Sequence, residues 1–251
     1  MLSKFVFGLV LAFTVISCQF TETMVLNEDG SGRMAIEMDL SEMMAFGGME
    51  IDSVPVKMDT LISMKKFLEE KKDSIATLTS AQQKKLKESE NYNIHMTMDT
   101  EASSMFVDVY IDFKNVKEAN NLMNGLGQGL SQSSSFMPGA SIDAAQGEAE
   151  EGESPEVVGI DFSFKNGVFK RDAYIIDEKQ HQQEIDSMKS AEAFMSSMKY
   201  KLKYTFPKKI LSSSIEDATY SLDGKTIEVE RNFIDYMKDP NVLDLEVEIE
   251  N

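Results

Sequence analysis

Catalysis usually needs a nucleophile, a titrating histidine or a cluster of metal ligands, and this 251-residue chain is sparing with all three. It has one cysteine, Cys18, and two histidines, His95 and His181. It carries no G-x-S-x-G elbow, no H-E-x-x-H pair, no P-loop and no dinucleotide fingerprint. The 43 acidic residues make some close carboxylate pair inevitable, so such a pair says nothing about acid–base catalysis. His181 lies in "DEKQHQQE", which reads as a solvated helix face. Two stretches invite a metal. In "NEDGSG", Asn27, Asp29 and Ser31 fall on calcium-loop positions, but the twelfth position, which should be a bidentate glutamate, is Met38. The plain reading is a hairpin turn. Met34 and Met38, or Met96 and Met98 beside His95, suggest soft copper ligation, yet strand alternation sends Met96 and Met98 to the face opposite His95. With 18 methionines in the chain, core packing by a flexible side chain is the simpler reading. No catalytic residue, metal ligand or cofactor is assigned, and the chain reads as a non-enzyme.

Cys18 has a different use. Met1 to Lys4 carries one positive charge, and Phe5 to Ile16 is uncharged and apolar. That run fits the apolar region of a secretory signal and falls short of the ~20 residues that span a bilayer. Ser17 is small, as a signal peptidase requires, and Cys18 follows at once. Val15-Ile16-Ser17-Cys18 resembles the lipobox of bacterial lipoproteins. The resemblance implies cleavage after residue 17, acylation of Cys18 on sulfur and amine, and a membrane partner reached through those acyl chains (palmitate or a similar fatty acid). More than one chain makes such an anchor stable, at about 0.8 kcal/mol per buried methylene. An exported chain with one cysteine forms no internal disulfide.

The formal charge is -18, which argues against nucleic-acid binding, because phosphate neutralisation needs a basic surface. Against that background Lys199, Lys201 and Lys203 line one strand face, with Lys208 and Lys209 just beyond. Lysines keep an exposed strand soluble. They would equally serve as a docking face for anionic head groups or an acidic protein partner.

These residues must be held by a framework of hairpins. At 42% hydrophobic and 27% charged, the composition is that of a globular chain. Met24 and Leu26 alternate before the Asn27–Gly32 turn, and Met34, Ile36, Met38 and Leu40 alternate after it. Ser41 starts a short helix that Gly47-Gly48 ends. Helical spacing from Met58 to Lys72 predicts a helix, and Ser80-Ala81-Gln82-Gln83 predicts a capping box opening another. Tyr92–Met98 and Met105–Phe113 form a second hairpin around Thr100 to Ser103, and Asn115 and Glu118 cap a helix through Leu126. A third hairpin turns at Asn166-Gly167, with Phe169, Arg171 and Ala173 on one face of its second strand. A helix follows from about Asp177 to Met198, then a strand over Tyr200, Leu202, Tyr204 and Phe206, and a hairpin turning at Leu222-Asp223-Gly224. Phe233 to Met237 forms a helical turn, and Leu243–Ile249 is the last strand. Residues 128–156 are rich in Ser, Gly, Ala and Glu without apolar period, and read as a disordered insertion. Strands apolar on one face only belong to an antiparallel sheet with one wet side. The expected fold class is α+β: an antiparallel sheet built from hairpins, helices covering one face and a disordered acidic loop. The expected organisation is a signal peptide over 1–17 and a single extracytoplasmic domain over 18–251.

Two stretches resemble lipoproteins whose extracytoplasmic part is an LppM-like domain. They are "TMVLNEDGSGRMAIEMDL" and "YKLKYTFPKKILSSSIEDATYSLDGKTIEVE", together about a fifth of the chain. The helical middle and acidic insertion depart from that pattern. The chain is also similar to uncharacterised outer-membrane lipoproteins of Gram-negative bacteria. The resemblance implies a cell-envelope lipoprotein. Gln19 in place of aspartate after the cysteine, and the lack of an acidic run there, point to the outer membrane facing the periplasm. The expected function is a lipid-anchored binding or scaffold protein without catalysis. The alternative is a carrier of a lipid or other hydrophobic ligand between sheet and helices.

Overall fold

The computed structural model describes residues 19–45, 56–120, 157–189 and 192–250. The alternating hairpins form as their patterns require. They are β1 (Gln19–Leu26) with β2 (Gly32–Asp39), β4 (Asn93–Asp99) with β5 (Ser104–Phe113), and β6 (Val158–Lys165) with β7 (Val168–Ile175). The third turn holds Asn166 and Gly167 both at positive φ, 53° and 76°. Consecutive left-handed residues match the twist of the flanking strands, which is why Asn-Gly suits this position.

The first divergence lies at Lys57–Ser63. These residues form a strand, β3, antiparallel to β4, and the helix begins only at Met64. Met58, Thr60 and Ile62 occupy alternate positions, and two of the three are β-branched and favour a pleated strand. The helical spacing seen across this stretch belongs to Met64–Glu70 alone, followed by the short helix Lys72–Ile75. The helix Ser80–Glu88 is capped one residue earlier than expected. Thr79 accepts from the Gln82 amide, and the Gln82 side chain returns the bond. The helix expected after Asn115 is described as a 3-10 turn, Val116–Glu118, and residues from 121 lie outside the description. The long helix expected to end near Met198 is two pieces, Glu178–Met188 and Glu192–Met195.

The larger correction concerns what covers the apolar face. The remaining strands are β8 (Lys199–Thr205), β9 (Ile210–Ser213), β10 (Thr219–Tyr220), β11 (Thr226–Asn232) and β12 (Leu245–Ile249). They complete an eight-stranded sheet in the order β10-β11-β8-β1-β2-β5-β4-β3 and a four-stranded sheet in the order β6-β7-β12-β9. The fold is therefore dominated by two sheets, not by one sheet under helices. Phe162 and Phe169 of the small sheet meet Tyr204 of β8 edge-on, at centroid separations of 6.5 and 5.4 Å. A strand face from the small sheet thus covers β8 and its neighbour β1. Short helices supply further cover: Ser41–Ala45 packs against β5 and buries Met44, and Met64 is buried at the start of its helix.

Pairing is antiparallel throughout except for β1 with β8, which run parallel in the centre of the large sheet. The first described strand is therefore held on both edges. Gly32 allows the close approach of β2 to β1. A Cβ there would lie 2.1 Å from the Val25 carbonyl oxygen and 2.5 Å from the Phe113 ring. Among the described residues, no helix is long and apolar enough to cross a membrane.

Candidate functional site

The inward face of β1 reads Glu22, Met24, Leu26, and all three are buried. Opposite, β7 presents Phe169, Arg171 and Ala173. The facing sheets thus bring one carboxylate and one guanidinium together in an otherwise apolar layer. Arg171 Nε and Nη2 donate to Glu22 Oε1 and Oε2, each at 3.0 Å, and both side chains are sealed from solvent. Arg171 Nη1 also donates to the Leu243 carbonyl at 3.3 Å. The Tyr200 hydroxyl donates to Glu22 Oε2 at 2.8 Å, and the Tyr204 hydroxyl donates to Oε1. The Tyr236 ring lies 4.4 Å from that of Tyr200, and the Arg171 guanidinium sits 5.9 Å from it. Phe20 stacks on Phe233 at 4.8 Å, so helix Phe233–Lys238 closes over the cluster.

Charges this deep survive only when paired and hydrogen-bonded. Burial by itself would lower the Arg171 guanidinium, but the adjoining Glu22 charge, with further help from Tyr204 and Tyr236, holds it well above its ordinary value. Burial first, and the Glu22 charge second, push the Tyr200 and Tyr204 phenols well above theirs. Burial also raises Tyr236, and raises Tyr92 to about 12. Perturbed groups often mark catalysis, but only where substrate can reach them. Here both side chains of the pair are shut off from solvent, and the arrangement acts as a bolt between the sheets.

The raised phenols set a pH limit. A phenol kept neutral in the fold contributes stability that is complete below its unfolded value of about 10 and is lost as pH rises through the folded value. Phenolate absorbance from Tyr92, Tyr200, Tyr204 and Tyr236 is expected to rise only above pH ~10, together with loss of the near-ultraviolet circular dichroism. Ionisation of these phenols in a chain that kept its tertiary signal would contradict the sealed cluster.

The residues singled out from sequence occupy other places. Cys18 and the preceding Val15, Ile16 and Ser17 lie outside the described residues, as does the 128–156 insertion. Lys199, Lys201 and Lys203 share the outer face of β8, as alternation requires. They are not an isolated positive row. Glu230 lies 4.0 Å from Lys199 and 3.9 Å from Lys201, and Glu228 lies 3.6 Å from Lys203, because β11 places those acids in register. The Asn27–Gly32 segment is a hairpin turn in which Asp29 accepts from the Ser31 amide and hydroxyl. His95 lies on the outer face with its Nε2 2.8 Å from Asp59, while Met96 is buried on the other. His181 is buried, against expectation, with Nε2 donating to the Met237 carbonyl at 2.8 Å. The helix seats it against Phe233–Lys238, contacts a polar flank cannot reveal. Among the described residues, no three His, Cys, Asp or Glu side chains are grouped to hold a metal ion.

What sequence reasoning missed is an open groove of about 830 Å³ on the outer face of the small sheet. Asp161 of β6 and Asp172 of β7 lie directly opposite each other in its floor. Like charges directly opposite are destabilising. Asn120 donates to Asp161 at 3.0 Å and accepts from the Phe162 amide at 2.8 Å, which ties the Val116–Glu118 segment to the rim. Lys170 pairs with Glu246 at 2.5 Å. Asp244 accepts from the Ala173 amide at 2.8 Å. Burial, with the Asp172 charge adding to it, raises the Asp244 carboxyl despite that bond. Lys117, Lys165 and Asp172 line the same groove and have no ion-pair partner among the described residues.

No known family matches the chain. No curated protein matches it either. Among solved structures, it is similar to the folded domain of LppM from Mycobacterium tuberculosis. The TM-score is 0.39 and the identity 8%, over 93% of this chain and 89% of that one.

Proposed function

We propose that this protein is a lipid-anchored binding or scaffold protein of the cell envelope that performs no catalysis. The observation that carries this reading is the packed core of the described residues. The space between the sheets is occupied by aromatic and aliphatic side chains around a sealed ion pair, while the groove opens on the outer face of the small sheet among mainly charged and amide residues. A carrier would need a large apolar chamber, and such chambers are lined mainly by hydrophobic side chains. The most strongly shifted groups, Arg171, Tyr200 and Tyr204, are buried in that core, away from any substrate in solution. The anchor rests on the lipobox pattern at Val15-Ile16-Ser17-Cys18, with the outer membrane facing the periplasm as the site of attachment.

Residues 19–251, expressed without the leader and incubated with a membrane lipid extract, should give a native mass equal to the bare chain. A bound mass of lipid size would put the carrier reading in its place. For the anchor, Cys18→Ala should abolish metabolic labelling of the full chain by a fatty-acid probe, and labelling that persisted would refute acylation at this residue.

A further inference from the structure

The outer face of the small sheet has a composition that narrows what it can hold. Its groove combines carboxylates at Asp161 and Asp172, an amide at Asn120 and ammonium groups at Lys117 and Lys165. An anionic ligand would meet the opposed aspartates. A cationic ligand would meet the two lysines. A hydrocarbon would strand all of them without hydrogen bonds, at a cost for each. Hydroxyl groups both donate and accept, and so satisfy carboxylate, amide and ammonium alike.

The next row along the same face adds an apolar surface. Tyr174 is two residues beyond Asp172 on β7 and is paired with Gly159 of β6, roughly 7 Å further along the sheet. Its ring lies over Gly159, where a Cβ would come within 2.5 Å of Cζ. The missing side chain lets the ring lie down on the sheet, and 41% of the residue remains open to solvent. An aromatic with an apolar body and a polar tip, beside a row of polar groups, presents both halves of a surface complementary to a sugar ring: the face for its C–H groups and the polar side chains for its hydroxyls. The groove's volume lies within the range of about 300–1,000 Å³ typical of ligand sites.

We propose that this face binds a neutral oligosaccharide, with Tyr174 as the stacking platform and Asp161, Asp172, Asn120 and Lys117 as its hydrogen-bonding partners. The inference rests on the binding reading above and supplies its ligand class. The test is saturation-transfer NMR on the full chain in a sugar-free zwitterionic detergent, with chitotetraose and maltotetraose as probes. Saturation transfer to the protons of at least one sugar is expected. Tyr174→Ala and Asp172→Asn should each weaken the binding by about threefold to tenfold. Both positions are exposed, so amide spectra should show the fold retained. No transfer to either sugar, or transfer unchanged in both variants, would overturn the proposal. That failure is separable from failure of the binding reading itself, which is decided by the lipid-size mass and not by sugar.

Discussion

Arg171→Met is expected to destabilise the fold by about 3–5 kcal/mol, read as a fall in the urea midpoint followed by circular dichroism. The substitution removes the countercharge and leaves the Glu22 carboxylate buried with only the Tyr200 and Tyr204 hydroxyls as partners. Two phenol donors do not replace a bidentate guanidinium, because the uncompensated charge remains in a low-dielectric layer. The pair is weak evidence for stability as a unit, since apolar replacements of buried ion pairs are often neutral. The informative comparison is therefore the double variant Glu22→Gln with Arg171→Met. It removes more of the native network but also removes the stranded charge, and should be more stable than Arg171→Met alone. A single variant costing less than about 1 kcal/mol, or strictly additive effects, would show that the two side chains are not coupled as described.

The second large effect is expected at Phe169. Its side chain is completely buried between the sheets, with centroids 6.1 Å from Phe162, 5.4 Å from Tyr204 and 5.4 Å from Phe206. Phe169→Ala should cost about 3–5 kcal/mol, the transfer term plus the cavity left where two sheets cannot collapse freely. An apolar cavity of that kind stays dry and admits small apolar guests. Xenon or benzene should therefore raise the stability of the variant and leave the native chain unchanged. If the native chain also responded, its interior would already contain a chamber, and the carrier would become the better description.

How much of this was legible in sequence differs by element. The hairpins were, because period-2 alternation and turn residues such as Asn166-Gly167 are local signals. The strand at Lys57–Ser63 was not, because its apolar residues also fit a helical spacing and only pairing with β4 decides between them. The covering sheet was illegible for a related reason: β6, β7 and β12 look like any other amphipathic strands, nothing local says which sheet a strand joins, and the short β9 shows no alternation at all. The bolt left a trace. Glu22 occupies the same face as Met24 and Leu26, and Arg171 lies between Phe169 and Ala173, so two opposite charges stood at inward positions. Either alone reads as an irregularity, and only the packing of β7 over β1 makes them partners. The groove left less, because its aspartates, lysines and amide come from separate elements and look like ordinary surface residues. His181 failed for the same reason, since its cover comes from Phe233–Lys238, far along the chain.

The filled interior is tested most directly by methyl NMR of the chain carrying labelled methionines. Met24, Met34, Met96 and Met105 are all buried in the core and report on it from four strands. Titration with a lysophospholipid is expected to leave these methyl resonances unmoved. Saturable shifts at Met24 and Met34, close to the layer between the sheets, would mean that a hydrophobic ligand enters there, and would contradict a packed, non-carrier core.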